Sequence, residues 1–462
     1  MTHDLDADVI VAGAGISGLA CAWGLQQRGA RVLVLEAGPH AGGCITTARA
    51  DGCLLESGPN SALETTPLIQ PLLEALGIAD ERIPARPEAR NRYILREGRL
   101  NALPLSPLAF LSSPLFSMRA KLRLLREPFI ARGATDAEET VAAFVRRRLG
   151  DEFLDYAINP FVGGVYAGDP ENLSVAAAFP RLHELEQAHG SLIRGQLAGA
   201  RARRRNPEKS KQAAPMFAFE GGMQTLTDAI ARRLPRIELG TAVASITASG
   251  GRYVIEAITS GVRRKFHSRA VLLAVPAYAA TVLVAPFAPQ AAAALAAIPY
   301  PPVAVVHSMY RRSAIAHPLD GFGMLVPECE HRQILGTIFS STLFGSRAPE
   351  GAVLLTTFIG GVRQPDLARL AETDLGELAY AEHVALLGAS ARPESVRVKC
   401  WPQAIPQYTL GHAARIRQVE EAERGFPGLF FCANYRGGVS VGDCIKSADR
   451  ASGSITAFLR GA

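Results

Sequence analysis

Cysteine is scarce and unpatterned in this sequence of 462 residues. The seven residues, at 21, 44, 53, 329, 400, 432 and 444, are an odd number with no C-x-x-C pair. That excludes a disulfide framework and a zinc site and favours a reducing compartment. The opening MTHDLDADVIVAGAG begins with acids and has too short an apolar stretch for an export signal, so a cytoplasmic location is expected. Charge is missing altogether from Ala270 to Tyr310. Prolines at 276, 286, 289, 299, 301 and 302 interrupt that run more often than a membrane helix of about 20 residues allows. A core strand, an Ala-rich helix and a further strand are expected there instead. Also missing are any Ser–His–Asp, paired-carboxylate or metal-ligand constellation and any repeat; His40, His183 and His267 stand in unrelated contexts.

What is present describes a folded chain. It is 48% hydrophobic and 20% charged, with 43 Gly and 30 Pro, and its length suits two or three domains of about 150 residues. The formal net charge of +6 is localised: residues 86–211 hold 21 basic against 14 acidic residues, and the remainder is almost balanced. A solvated face explains such a block, as does an anionic partner such as phosphate, carboxylate, nucleic acid or a lipid surface. Within it, Asn101 to Met118 is uncharged, with three prolines among Leu and Phe, and Met118–Phe129 reads as a short basic amphipathic helix. Phe110, Leu111, Leu115 and Phe116 then suit either a monotopic membrane contact or packing on the protein's own core. Residues 198–215, with Arg201–Arg205 and Lys209–Lys211, read as an exposed loop. They lack interleaved aromatics, so nucleic acid is not expected as a partner.

The strongest chemical signal lies at the N-terminus. Asp8–Ala12 reads as a buried strand, Ile16–Gln27 as a helix stopped by Gly29, and Arg31–Glu36 as a second strand. Between the first two sits Gly13-Ala14-Gly15-Ile16-Ser17-Gly18. Gly13 allows the tight turn, Gly15 the approach of a pyrophosphate, and Gly18 close helix–strand packing. The helix N-terminus presents free N–H groups to phosphate, and Glu36 ends the second strand where a carboxylate can accept from ribose hydroxyls, with Ala37 beside it.

Further motifs narrow the nucleotide. Gly42-Gly43-Cys44 and Gly58-Pro59-Asn60-Ser61 follow the first unit, and Val439-Ser440-Val441 opens a C-terminal helix after Gly437-Gly438. This set resembles the FAD signatures of the amine oxidase–phytoene desaturase superfamily. The resemblance implies FAD, held non-covalently, with helix N–H groups near Val441 facing the flavin N1–O2 edge. A more specific likeness runs in order along the chain. Asn91-Arg-Tyr93, Asn159–Asp169, Phe217–Thr225, Gly321–Leu325, Thr356–Gly361, Ile405–His412 and Gly437–Cys444 are similar to the oxygen-dependent protoporphyrinogen oxidases.

That resemblance implies a family activity: removal of six electrons from protoporphyrinogen IX in three flavin cycles, with O2 as acceptor and H2O2 released. It gives Arg92 the role of propionate anchor, suited to its guanidinium fork. It places Phe358 on one pyrrole ring, Leu325 and Ile338 around another (leucine stands at Ile338 in relatives), and the Gly164 backbone near the macrocycle. It puts Val243 at the adenine and Trp401 near the flavin, and it implies no catalytic side chain and no metal, the hydride going to flavin N5. Ala433 replaces a glycine and is expected to disturb the turn over the pyrophosphate.

The expected fold is α/β: a discontinuous Rossmann-type FAD domain (1–85, 217–295, 420–462), a mixed-sheet substrate domain (86–100, 160–216, 296–419) and a helical membrane-facing module (101–159). Expected partners are protoporphyrinogen IX, O2, a peripheral membrane surface and a second copy as homodimer. Coproporphyrinogen III oxidation, an amine oxidase or carotenoid desaturase, and a porphyrin- or haem-binding protein without turnover remain open.

Overall fold

The computed structural model describes residues 5–104, 106–133, 138–203, 214–249 and 251–461. Four-residue apolar runs make its central layer. Val9–Ala12, Val32–Leu35 and Ala270–Leu273 are buried throughout, as strands covered on both faces must be. They form a parallel five-stranded sheet in the order Ile237–Glu238, Val32–Leu35, Val9–Ala12, Ala270–Leu273, Leu429–Phe431. Alternation splits their side chains between two cores. Val9 and Val11 face the helices Ile16–Gln27 and Val441–Gly461, which pack on each other. Ile10 and Ala12 face the antiparallel ribbon Thr241–Ser249, Arg252–Thr259, Val262–Ser268 and the helices Ala277–Val284 and Pro289–Ala296.

The uncharged run after Ala270 therefore holds a strand, two helices rather than one, and the strand Val303–Arg311. Pro289 divides the helices, since it cannot continue the first but suits the opening turn of the second.

A second sheet has seven strands in the order Ser395–Trp401, Val303–Arg311, Ala352–Gly360, Gly336–Phe339, Gly321–Leu325, Asn91–Arg96, Arg99–Ala102. It is mixed, because Gly321–Leu325 runs parallel to Asn91–Arg96 while the other pairs are antiparallel. On one face Leu95, Ala304, Val306, Met324, Phe339, Leu355 and Ile359 pack beneath the helix Glu372–Leu387. The opposite face looks toward the parallel sheet and the remaining helices.

Those helices occupy much of 107–203. Their core includes Phe144, Leu154, Val162, Tyr166 and Leu173. At its edge lies a buried ion cluster: Arg148 is fully enclosed and bonds Glu186 and Glu127, while Glu127 also accepts from Ser191 Oγ at 2.5 Å and Leu192 N at 2.8 Å.

Several readings of this region change. The basic helix spans Met118–Leu124 only, because Pro128 turns the continuation into a short 3-10 segment, Glu127–Phe129. The uncharged stretch before it contains a capped helix, Pro107–Ser112. Leu115 and Phe116 are core residues packed with Ile94 and Ala120, so they are not free to touch a membrane. Residues 198–203 continue the helix Leu192–Arg203 instead of forming a loop; 204–213, with Arg204, Arg205 and the Lys209–Lys211 run, lie outside the described residues. Among the described residues no helix is long and apolar enough to cross a membrane.

Candidate functional site

The N-terminal glycines divide by what a side chain would strike. A Cβ on Gly13, whose φ is +102°, would lie 2.9 Å from Ala274 O, and one on Gly18 would lie 2.0 Å from Gly13 O. Both are required by the fold. A Cβ on Gly15 would meet nothing within 4 Å. This glycine fronts open space at a helix N-terminus, the setting a pyrophosphate needs and nothing in the packing demands.

The second glycine pair closes one side of that space. Gly42 N donates to Ala14 O at 2.8 Å, and a Cβ on Gly43 would stand 3.1 Å from Gly15 Cα. Cys44 comes next and is solvent-exposed, yet surrounding protein pushes its thiol above the ordinary value. Gly58 approaches so closely that a Cβ would lie 2.0 Å from Cys44 O, and Pro59, Asn60 and Ser61 continue half-buried from there.

Glu36 closes the turn from the other strand. Its Oε2 accepts from Ala14 N and its Oε1 from Gly38 N, both at 2.7 Å. Each carboxylate oxygen keeps a lone pair for a ribose hydroxyl. Ala37 is exposed beside it. Thr241 N donates to Glu36 O at 2.7 Å, which brings Val243, half-buried at a bulge in its strand, to the same corner.

The C-terminal helix completes the cleft. Ser440 Oγ accepts from Asp443 N at 3.2 Å and donates to Asp443 Oδ2 at 2.6 Å, fixing the start of Val441–Gly461. Tyr408 holds the approach to it, accepting from Gly438 N at 3.0 Å and donating to Asn434 O at 2.6 Å. Cys444 is buried, and that burial disfavours the thiolate, pushing its thiol up to about 12 despite a hydrogen bond with Ser17. Ala433 is buried, and its backbone does not adopt the left-handed conformation that would demand glycine. The donor set of open glycine, helix N-termini and ribose-facing carboxylate fits a dinucleotide.

Sheet register arranges the other named residues. Because Tyr93, Met324, Thr337, Thr357 and Val306 point away, their neighbours share the opposite face. One row across it, by pairing, is Lys399–Val305–Phe358–Gly336–Leu325–Ile94; the adjacent row is Arg397–His307–Thr356–Ile338–Gly323–Arg92. Leu325, Ile338, Phe358 and Trp401 are each half-buried on this face. Strands about 4.8 Å apart put Leu325 and Phe358 roughly 10 Å from each other, a span suited to a large flat ring. Arg92 lies at one end, exposed over the Phe322 ring at 5.8 Å and without a carboxylate partner among the described residues. Trp401 lies at the other, donating through Nε1 to Ser57 O at 2.8 Å, which ties the sheet to the Gly58 wall. Gly164 comes in from the helix Asn159–Tyr166, where a Cβ would lie 2.6 Å from Leu325 Cδ2.

Sequence reasoning missed three members of this face. Lys399 stacks its ammonium 4.8 Å from the Trp401 ring. Thr356 lies 3.1 Å from His307 Nδ1, and burial pushes that imidazole down to about 4, so His307 is neutral near pH 7. Only strand alternation in Val303–Arg311 hinted at His307, and choosing its face required the sheet order.

Comparison with known proteins follows this geometry. Residues 16–456 match the model of the flavin containing amine oxidoreductases. The chain is 36% identical to the chloroplastic protoporphyrinogen oxidase of Nicotiana tabacum, over 98% of this chain and 86% of that protein. It is 31% identical to the coproporphyrinogen III oxidase of Propionibacterium freudenreichii, over 97% and 90%. A crystal structure of an Exiguobacterium protein, provisionally assigned as a protoporphyrinogen oxidase, superposes with a TM-score of 0.81 at 24% identity, covering 97% of this chain and 98% of that one.

Proposed function

The chain belongs to the flavin containing amine oxidoreductase family, and from that premise we propose that it oxidises protoporphyrinogen IX to protoporphyrin IX. It is an FAD-dependent oxidase. The chemistry supplied by bound FAD is hydride acceptance, three times per macrocycle, with three O2 leaving as H2O2.

The observation that carries the substrate reading is the shared sheet face, with a guanidinium that has no carboxylate partner among the described residues at one end and the Gly58 wall at the other. Arg92 takes a propionate carboxylate in its fork and so fixes which edge of the macrocycle points toward Trp401. Leu325, Ile338 and Phe358 hold the rings by apolar contact, and Gly164, packed directly on Leu325, brings the helix backbone down to the edge of that floor. Gly13–Gly18, Glu36, Ala37, Gly42–Cys44, Gly58–Ser61 and Val243 hold the dinucleotide, and Val439–Val441 direct helix N–H groups at the flavin edge. No side chain need move a proton, because the site's work is orientation and exclusion of competing reactions. In this reading 1–85, 217–295 and 420–462 form the cofactor domain, 86–100, 160–216 and 296–419 the substrate domain, and 101–159 the membrane-associating module.

Membrane contact is supported by the outer surface of that module. Leu108, Leu111, Met118, Leu122, Leu125 and Phe129 are exposed there among Arg119, Arg123 and Arg126.

Aerobic incubation with protoporphyrinogen IX tests the function directly. Porphyrin fluorescence with H2O2 release is expected. The likeness to a coproporphyrinogen III oxidase supports a second reading, in which the four-propionate substrate is preferred. The ratio of kcat/KM for the two porphyrinogens decides between them.

A further inference from the structure

Three pieces of the proposed macrocycle site meet at one buried guanidinium. Arg363 follows the strand that carries Phe358, with its side chain only 7% exposed. Nη2 donates to Asn159 O at 2.6 Å and to Asn159 Oδ1 at 2.7 Å, while Nη1 donates to Val326 O at 3.0 Å. Asn159 begins the helix that bears Gly164, and Val326 directly follows Leu325. One residue before Arg363, Val362 N donates to Ala167 O at 2.8 Å, just past that helix's other end.

The helix lies flat on the guanidinium at a second glycine, where a Cβ on Gly163 would sit 2.8 Å from Nη2. One residue further, Gly164 packs directly on the sheet floor, where a Cβ would lie 2.6 Å from Leu325 Cδ2. The charge itself is poorly compensated. Glu328 lies 3.9 Å from Nε and is more than half exposed, and Nε has no hydrogen-bond partner. An apolar residue would join two elements at lower desolvation cost. What a planar fork adds is a fixed spacing between carbonyls on different elements, which a lysine point charge cannot reproduce.

We propose that Arg363 is a positioning residue that fixes how Gly164 seats on Leu325 and thereby the placement of the macrocycle on the sheet floor. This rests on the porphyrinogen reading of that floor. Arg363 does not touch the ligand; it acts through the helix Asn159–Tyr166 and the end of the strand Gly321–Leu325.

The test is anaerobic flavin reduction by protoporphyrinogen IX and by coproporphyrinogen III, at saturating substrate and per bound FAD, in holoenzyme. Arg363→Lys is expected to slow reduction by the better substrate about ten- to hundredfold, the cost of misplacing a reactant by about an ångström. Flavin absorbance and FAD content should stay as in the parent. Its loss and that of Gly164→Ala should be less than multiplicative, since both act on one contact. Asn159→Ala, which removes one acceptor, should show a smaller loss in the same sense and decides the matter if Arg363→Lys does not fold. Parent-like reduction rates in Arg363→Lys and Asn159→Ala, or losses that multiply with Gly164→Ala, would overturn the role. A parent enzyme whose flavin neither porphyrinogen reduces would overturn the function instead, and this inference with it.

Discussion

Gly15 and Gly18 look alike in a motif but occupy different surroundings, and substitution should separate them. Gly15→Ala places a methyl in open space, so the apoprotein should melt close to the parent while FAD binding is lost. Gly18→Ala drives a methyl into Gly13 O and should lower the Tm of apoprotein and holoprotein alike. Thermal melts with and without FAD check both. Arg92 offers a second contrast, since nothing among the described residues pairs with it. Arg92→Ala should raise KM for protoporphyrinogen IX about ten- to hundredfold, from a charged hydrogen bond worth about 1.5–3 kcal/mol, with Tm unchanged. Steady-state porphyrin fluorescence reads the first effect and a melt the second. An unchanged KM would move the propionate elsewhere.

Elements explain what could and could not be read from the chain. The phosphate turn was legible because its signal is local: strand, glycines, helix and Glu36 fall within the first forty residues. The sheet floor was legible only through resemblance. His307, Lys399 and Arg363 reach Phe358 and Leu325 through register between strands far apart in sequence, and no spacing within one segment encodes that. Proline shortened the basic helix and split the Ala-rich one, which propensity foretold only in part. The helical segment also holds an element-scale test. Burial raises the Glu186 pKa, but hydrogen bonds from Arg147 and Arg148 outweigh it and hold the carboxyl below its ordinary value. Such a group stabilises the fold above its unfolded pKa and loses that contribution as pH falls through the lower folded one. Hydrogen exchange should therefore show the helix Pro180–His189 opening below about pH 4 before the parallel sheet does. Arg148→Ala, which removes the guanidinium from buried Glu127 and leaves Glu186 with Arg147, should cost about 3–5 kcal/mol and open the same helix at neutral pH.

For the whole molecule, the proposed function divides labour between the two sheets, as cofactor and macrocycle sites, and the helical segment, as a membrane-facing surface. The exposed leucines and Phe129 beside arginines predict that the protein pellets with anionic vesicles at low salt and is partly released at high salt. Replacing Leu108, Leu111, Leu122 and Phe129 by Ser should abolish pelleting and leave turnover in detergent intact. Replacing Leu115 and Phe116 should instead unfold the region, because those side chains are core.

The parallel sheet draws its strands from both ends of the sequence, and the helix at the flavin edge is the last one described. A ribosome therefore delivers the phosphate turn first and its counterpart some four hundred residues later. In the proposed reading, the glycine turn is only part of an FAD site until the helix Val441–Gly461 has been made and packed. Flavin supply thus acts once both distant segments are packed together, stabilising that assembly by mass action and protecting it from proteolysis once loaded.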